Sequence, residues 1–142
     1  TVIQCALNKP PQTIATEFGL KRSDTLLHLL RIRERAGSVF GYFDSWSAGV
    51  NAPPNSDIFI HESRHHYFRD NGMRISHIKQ SLSAIAATPI IAKHLNIEPG
   101  APLLSLVRRS YKQNGDQEEL VDYLLALYNT ELFQYQMDLK LD

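Results

Sequence analysis

Arg31, Arg33 and Arg35 stand at alternate positions in the run from Thr25 to Arg35. On an extended chain side chains alternate between faces, so the three guanidiniums share a side with Leu27 and Leu29, opposite Leu26, Leu30 and Ile32. Alternate residues start roughly 6.6 to 6.8 Å apart, a spacing at which partly buried like charges repel unless anions answer them. The planar fork of arginine grips carboxylate or phosphate with two bonds, so the chemistry on offer is anion binding. The plainer reading is a solvated strand end paired with Glu34, Asp44 or other acids. Both readings stand on spacing alone.

A second constellation lies between Val121 and Tyr128. There the apolar positions Val121, Tyr123, Leu125 and Leu127 define one face, and Asp122, Leu124, Ala126 and Tyr128 the other. A carboxylate and a phenol on one side, with small apolar residues between them, suit hydrogen bonds to the hydroxyls or amine of a small polar molecule. A surface Asp and a half-buried Tyr would look the same. Shifted by 78 residues, Asp44 falls on Asp122, so each half of the chain has one candidate acid.

His61-Glu62-Ser63-Arg64-His65 satisfies H-E-x-x-H, which on one helix sets two imidazoles a turn apart with a glutamate placed as general base of a zinc hydrolase. Phe68 stands where the extended metzincin pattern has glycine, and Arg64 puts a cation between the imidazoles, so the expectation is a polar helix face with no metal. Cys5, the only cysteine, rules out an internal disulfide and reads as a small buried apolar residue. No Gly-rich phosphate loop or nucleophile elbow is present.

These residues are positioned by a plan that occurs twice. Ala15 to Arg31 matches Ala92 to Arg108, 77 residues later: Leu26-Leu27 falls on Leu103-Leu104, Leu29 on Leu106, and Arg31 on Arg108. Arg33, however, falls on Ser110. Two long copies imply one domain of two related halves, with a natural ligand place between them. Val2 to Leu7 reads as a first strand, and Ile14 to Leu20 as a short helix ended by Gly19. A hairpin follows, from Thr25 to Arg35 and Val39 to Ser47 about Ala36-Gly37. Ser56-Asp57 starts one helix that stops at Asn71-Gly72, and Arg74 to Ala86 is strand-like. Thr88-Pro89 opens a helix to Leu95, and a second hairpin spans Pro102 to Lys112 and Glu118 to Tyr128. Phe133 to Leu139 adds a last strand. The class is α+β, a mostly antiparallel sheet of about six strands with packed helices, internally duplicated.

Composition narrows the partners. At 142 residues and 43% hydrophobic, the chain makes a single domain over 1–142 that can bury roughly 70% of its unfolded surface. Fifteen basic residues against fifteen acidic ones leave no surplus charge to release counterions from DNA, so the chain alone is not expected to bind it. No apolar run approaches the ~20 residues of a membrane span, and the expected compartment is the cytoplasm. The chain opens at Thr1 and is expected to be the C-terminal part of a longer protein.

The stretches Ala15 to Gly37, Ile75 to Gly100, Leu103 to Lys112 and Val121 to Tyr135 resemble the UTRA domain, the effector-binding half of GntR-type bacterial transcription regulators of the HutC subfamily. The pattern A-x-x-L-G-I-x-x-G-x-P-V-L-x-L-x-R is met here by Ala92, Leu95, Ile97, Gly100, Pro102 and Arg108, followed by Val121-Asp122 and Tyr128. The resemblance implies a chorismate-lyase-like fold and a homodimer. It also implies an N-terminal winged helix, absent from this chain, that reads operator DNA. It implies a small anionic effector, no cofactor and no catalysis. By resemblance Arg31 and Arg33 take a phosphate, Asp122 and Tyr128 hold the rest of the ligand, and Ser81 contributes from the middle strand. The family's first-hairpin acid falls on Phe43, or on Asp44 with one inserted residue, and such a slip moves a side chain to the other face. Asp122 replaces the usual glutamate, and Tyr128 to Phe133 lacks the usual arginines. A chorismate-lyase-like enzyme and a dimerisation module with a degenerate pocket are the alternatives.

Overall fold

The computed structural model of the protein describes residues 1–141. Its apolar period-2 runs form six strands: β1 (Val2–Asn8), β2 (Leu26–Arg35), β3 (Ser38–Ser47), β4 (His77–Ala86), β5 (Pro102–Asn114) and β6 (Gln117–Asn129). Every neighbouring pair is antiparallel, and the order across the sheet is β1-β2-β3-β6-β5-β4. Four short helices join them: α1 (Gln12–Phe18), α2 (Ile58–His61), α3 (Arg64–Asp70) and α4 (Pro89–Leu95). The order strand, helix, strand, strand therefore occurs twice, and the two hairpins meet in mid-sheet at β3 and β6.

Local chemistry sets the turns. Ala36 and Gly37 both have positive φ, 51° and 80°, as a two-residue turn matched to strand twist requires. In α4, Thr88 accepts a hydrogen bond from the Ile91 N–H and Pro89 occupies the first turn, which satisfies donors that a helix start leaves orphaned. The second hairpin is tighter than the sequence suggested. Both of its strands run 13 residues to a turn at Gly115 and Asp116, because cross-strand pairing continues to Asn114 and Gln117.

Strand parity sorts the sheet into two faces. On one face Ile32, Tyr42, Leu103 and Leu127 pack against Ala92 and Leu95 of α4. On the other, Leu27, Leu29 and Val121 pack against Phe59 of α2 and Phe68 of α3. Leu26 and Leu27 are 2% and 1% exposed and Leu103 is 1%, and burying a leucine contributes roughly 1.5 to 3 kcal/mol relative to exposure. Leu29 and Leu106, matched across the repeat, are also buried. Val121 departs from the expected unbroken face of β6: pairing slips by one residue between Ser110 and Tyr111, and the irregularity lets Val121 join the α2–α3 side.

Two expectations are corrected. The single helix from Ser56-Asp57 to Asn71-Gly72 is broken, with Glu62 extended at φ −116° and ψ 152°. The cause is Ser63, whose hydroxyl accepts from the His66 N–H and starts α3 anew. Phe133 to Leu139 forms no strand. Phe133 stacks on Tyr128 with ring centres 3.8 Å apart, and Met137 and Leu139 lie exposed with no strand beside them. No helix among the described residues is long and apolar enough to cross a membrane.

Gly41 is the tight point of the central hairpin. A Cβ there would lie 2.6 Å from Cε2 of Phe43, so the ring occupies space that only glycine leaves open. Gly41→Ala should destabilise the domain by about 1 to 3 kcal/mol by displacing that ring. Chemical denaturation checks this, and an unchanged midpoint would show that the ring moves freely.

Candidate functional site

The α2–α3 segment roofs one face of the sheet and encloses a cavity of about 420 Å³. Its floor is Phe43, Leu106, Leu124 and Tyr128, its walls carry Arg31, Arg33 and Arg108, and Phe59 through His65 supplies the roof. Parity brings these residues together. Arg31 pairs with Phe43, Phe43 with Ala126 and Ala126 with Leu106, one row across four strands. The adjacent row on this face, Arg33, Gly41 and Tyr128, adds the second arginine and the phenol.

Aromatic rings hold the guanidiniums apart from one another. Those of Arg31 and Arg33 lie 5.6 and 5.4 Å from the centre of the Phe43 ring, and Arg33 also lies 5.6 Å from Phe40. Phe40 is the extra residue of a bulge, since Arg33 pairs with Gly41 and Glu34 with Val39. Each cation over a ring is worth about 0.5 to 2 kcal/mol, which offsets part of the repulsion between the arginines. The offset is incomplete. Arg31 is brought down to about 10 by burial first, then by the charges of Arg64 and Arg33. Its Nε is buried with no hydrogen-bond partner. A buried donor without an acceptor is costly, so Arg31 is held in place at the expense of stability.

The roof arginine is differently placed. Arg64 is 6% exposed, donating from Nη1 to Oδ1 of Asp122 at 2.8 Å and from Nη2 to Oδ2 at 3.1 Å. Ser47 donates a further hydrogen bond to Oδ1 of Asp122. The carboxylate is thus fully engaged and sits behind Arg64, outside the cavity lining. Arg64 also stacks on Phe68 at 5.3 Å, so the start of α3 is tied both to β6 and to its own helix. His65, at the rim, is held below the ordinary imidazole value by burial and by Arg64 and Arg108. The Tyr128 phenol is pushed up by burial, against the pull of Arg108, Arg33 and Arg31.

Of the residues singled out from the sequence, Arg31, Arg33 and Tyr128 line this one cavity. Asp122 shares their face, as parity required, but its partner is Arg64. Asp44 pairs with Leu30 and Leu125 on the opposite face, where its Oδ1 meets Nε2 of His28 at 2.6 Å. Phe43, not Asp44, therefore occupies the first-hairpin position over the cavity. Ser81 pairs with Val107 on β5, in the row that carries Leu125 and Asp44, so it too faces away. Ser110, the counterpart of Arg33, is fully buried next to Asp122. Reasoning from sequence did not single out Arg64 or Arg108 for the site. The signal for Arg108 was its match to Arg31; for Arg64 it was a cation three and four residues before the packing residues Tyr67 and Phe68, on their side of the helix. The H-E-x-x-H stretch is split between α2, an extended Glu62 and α3, which removes the one-turn spacing of its histidines. Among the described residues no three His, Cys, Asp or Glu side chains gather to hold a metal.

Asp122→Ala leaves Arg64 buried without its counter-charge and should destabilise the domain by about 3 to 5 kcal/mol. Replacing both partners, Arg64→Met with Asp122→Leu, should recover most of that loss in the same denaturation experiment. A loss under 1 kcal/mol in the single variant would mean that the pair does not anchor the roof.

Comparison with known proteins was informative at the level of family and fold. The UTRA domain profile matches residues 1–134. No functionally curated protein matches the sequence. A protein assigned as a transcriptional regulator in Streptomyces coelicolor superposes with a TM-score of 0.85 at 20% identity, covering 94% of this chain and 87% of that one. A GntR-family transcriptional regulator from Enterococcus faecalis superposes with a TM-score of 0.80 at 20% identity, covering 97% and 98%. The effector domain of PhnF from Mycobacterium smegmatis does so with a TM-score of 0.78 at 14% identity, covering 99% and 85%. The α+β sheet described above is the chorismate-lyase-like fold of such regulator domains. By the extent of the profile match and the sheet that carries the cavity, the chain belongs to the UTRA domain family.

Proposed function

We propose that this chain is the ligand-sensing and dimerisation domain of a GntR-type, HutC-subfamily bacterial transcription regulator, cytoplasmic and without catalytic activity. Its effector is a small anionic metabolite: a phosphorylated sugar, a phosphonate or a carboxylate. The observation that carries this reading is the cavity itself, where Arg31, Arg33, Arg64 and Arg108 meet one lining carboxylate, Glu62. Such a surplus suits an anion that supplies the missing negative charge. The fold likeness to the effector domain of PhnF agrees with this.

In this reading the whole chain is one effector domain, its repeated element order reflects an internal duplication, and a winged helix N-terminal to it contacts operator DNA. The anion biases how a homodimer spaces its two DNA readers, and linkage makes the effect reciprocal. An edge strand supports the dimer. All ten residues of β4 are exposed, including Ile78, Leu82 and Ile85, and open apolar edges are normally covered.

In a thermal-melt screen of sugar phosphates, phosphonates and carboxylic acids, an effector at about 100 times its Kd should stabilise the domain by roughly 2.7 kcal/mol. Arg31→Ala combined with Arg33→Ala should abolish that gain, and a hit surviving the double change would refute the anion site. Sedimentation of the chain at micromolar concentration should show a dimer; monomer alone would remove dimerisation from the reading.

A further inference from the structure

The cavity is cationic on two opposite sides, and the sides belong to different halves of the chain. Arg31 and Arg33 project from β2, Arg108 from β5, and β3 and β6 lie between them as the floor. Three strand spacings separate β2 from β5, roughly 14 Å between backbones. The two walls therefore reach the cavity from opposite sides of its floor, and both open on it. Arg64 enters the lining from above, where its charge acts on Arg31 as well as on His65, and two of its five N–H donors are held by Asp122. Arg108 is itself oriented by Gln80, whose Oε1 accepts from its Nε at 2.7 Å.

The charge count agrees with the geometry. Four lining guanidiniums face Glu62 in the lining and Asp122 behind it, which leaves a surplus of two positive charges. The carboxylate of Asp122, the group on β6 best suited to a ligand hydroxyl or amine, is consumed by Arg64 and Ser47 and is 1% exposed. What the second half of the chain offers the cavity is therefore cationic.

We propose that the ligand of this cavity is a small molecule with an anionic group at each end, one on Arg31 and Arg33 and the other on Arg108. This rests on the reading of the cavity as an effector site and narrows its ligand class to phosphates, phosphonates or carboxylates joined by a short spacer across Phe43 and Leu124. Asp122 is then a positioning residue, which holds Arg64 in the roof above the two subsites. Joining two anions in one molecule makes the second contact intramolecular, so a two-ended ligand of the right length gains over its one-ended analogue.

The test is a chemical ruler. Calorimetric titration of the chain would use ethane-1,2- to hexane-1,6-diphosphonate, each beside the alkylphosphonate of the same chain length, with inorganic phosphate as a further probe. At one spacer length the diphosphonate should bind at least tenfold more tightly than its partner. Arg108→Gln should erase that gain, and Arg108→Lys, which keeps the charge, should retain part of it. Arg31→Gln with Arg33→Gln should weaken both series. Equal affinity within every pair, or a gain that survives Arg108→Gln, would overturn the two-ended ligand while leaving a single-anion effector site standing. Failure of all probes, inorganic phosphate included, to bind at millimolar concentration would overturn the effector reading and this proposal together.

Discussion

Two short helices, four and seven residues long, roof a face of the sheet, and neither has the length to be stable by itself in water. What holds them is the contact between Arg64 and Asp122, supported by the burial of Phe59 and Phe68. A buried ion pair gives back little net stability once desolvation is counted, but it penalises any other placement of its partners severely. Its consequence is therefore geometric. The pair fixes where α3 begins, and with it the position of the cavity roof, the depth of the site and the direction of the guanidinium that completes the lining.

The remaining structure accommodates the electrostatic strain this creates. Several guanidiniums around one cavity raise one another's cost of ionisation, and burial adds to it, which is why Arg31 lies well below the ordinary arginine value. A purely structural strand would carry an apolar residue there. The bulge at Phe40 and the bare Cα of Gly41 let two rings lie beneath the arginines and spread them over aromatic surface. The sheet thus spends packing freedom on keeping cations in place, as ligand sites commonly do at some expense of stability.

Much of the site was legible because strand parity is rigid. Period 2 alone put Arg31 with Arg33 on one side of their strand and Asp122 with Tyr128 on one side of theirs, and strand pairing brought Arg31, Arg33 and Tyr128 to one cavity. The same rule left Asp44 and Phe43 undecided, since a shift of one residue exchanges the faces, and only the pairing of Phe43 with Arg31 separated them. Helical stretches were less readable. The run from Ile58 to Asp70 has apolar residues near both ends and no Gly or Pro between them, and the break at Glu62 depends on one hydroxyl, that of Ser63, capturing a backbone N–H. The alternating run after Tyr128 shows the opposite failure: its pattern is that of a strand, but a strand needs a partner and Phe133 found a ring instead.

By itself the sequence determined the approximate positions of the six strands, the turn of the first hairpin, the leucines of the core and which residues of one strand share a side, because each of these follows from local periodicity or turn chemistry. Tertiary structure alone decided that Arg64 meets Asp122 across 58 residues and that Arg108 closes the cavity opposite Arg31. Only the fold could show that Asp44 and Ser81 look the other way. The physical reason is that a buried charge selects its partner by where the chain can bring an opposite charge within hydrogen-bond reach, and that distance is a property of the folded sheet rather than of spacing along the chain.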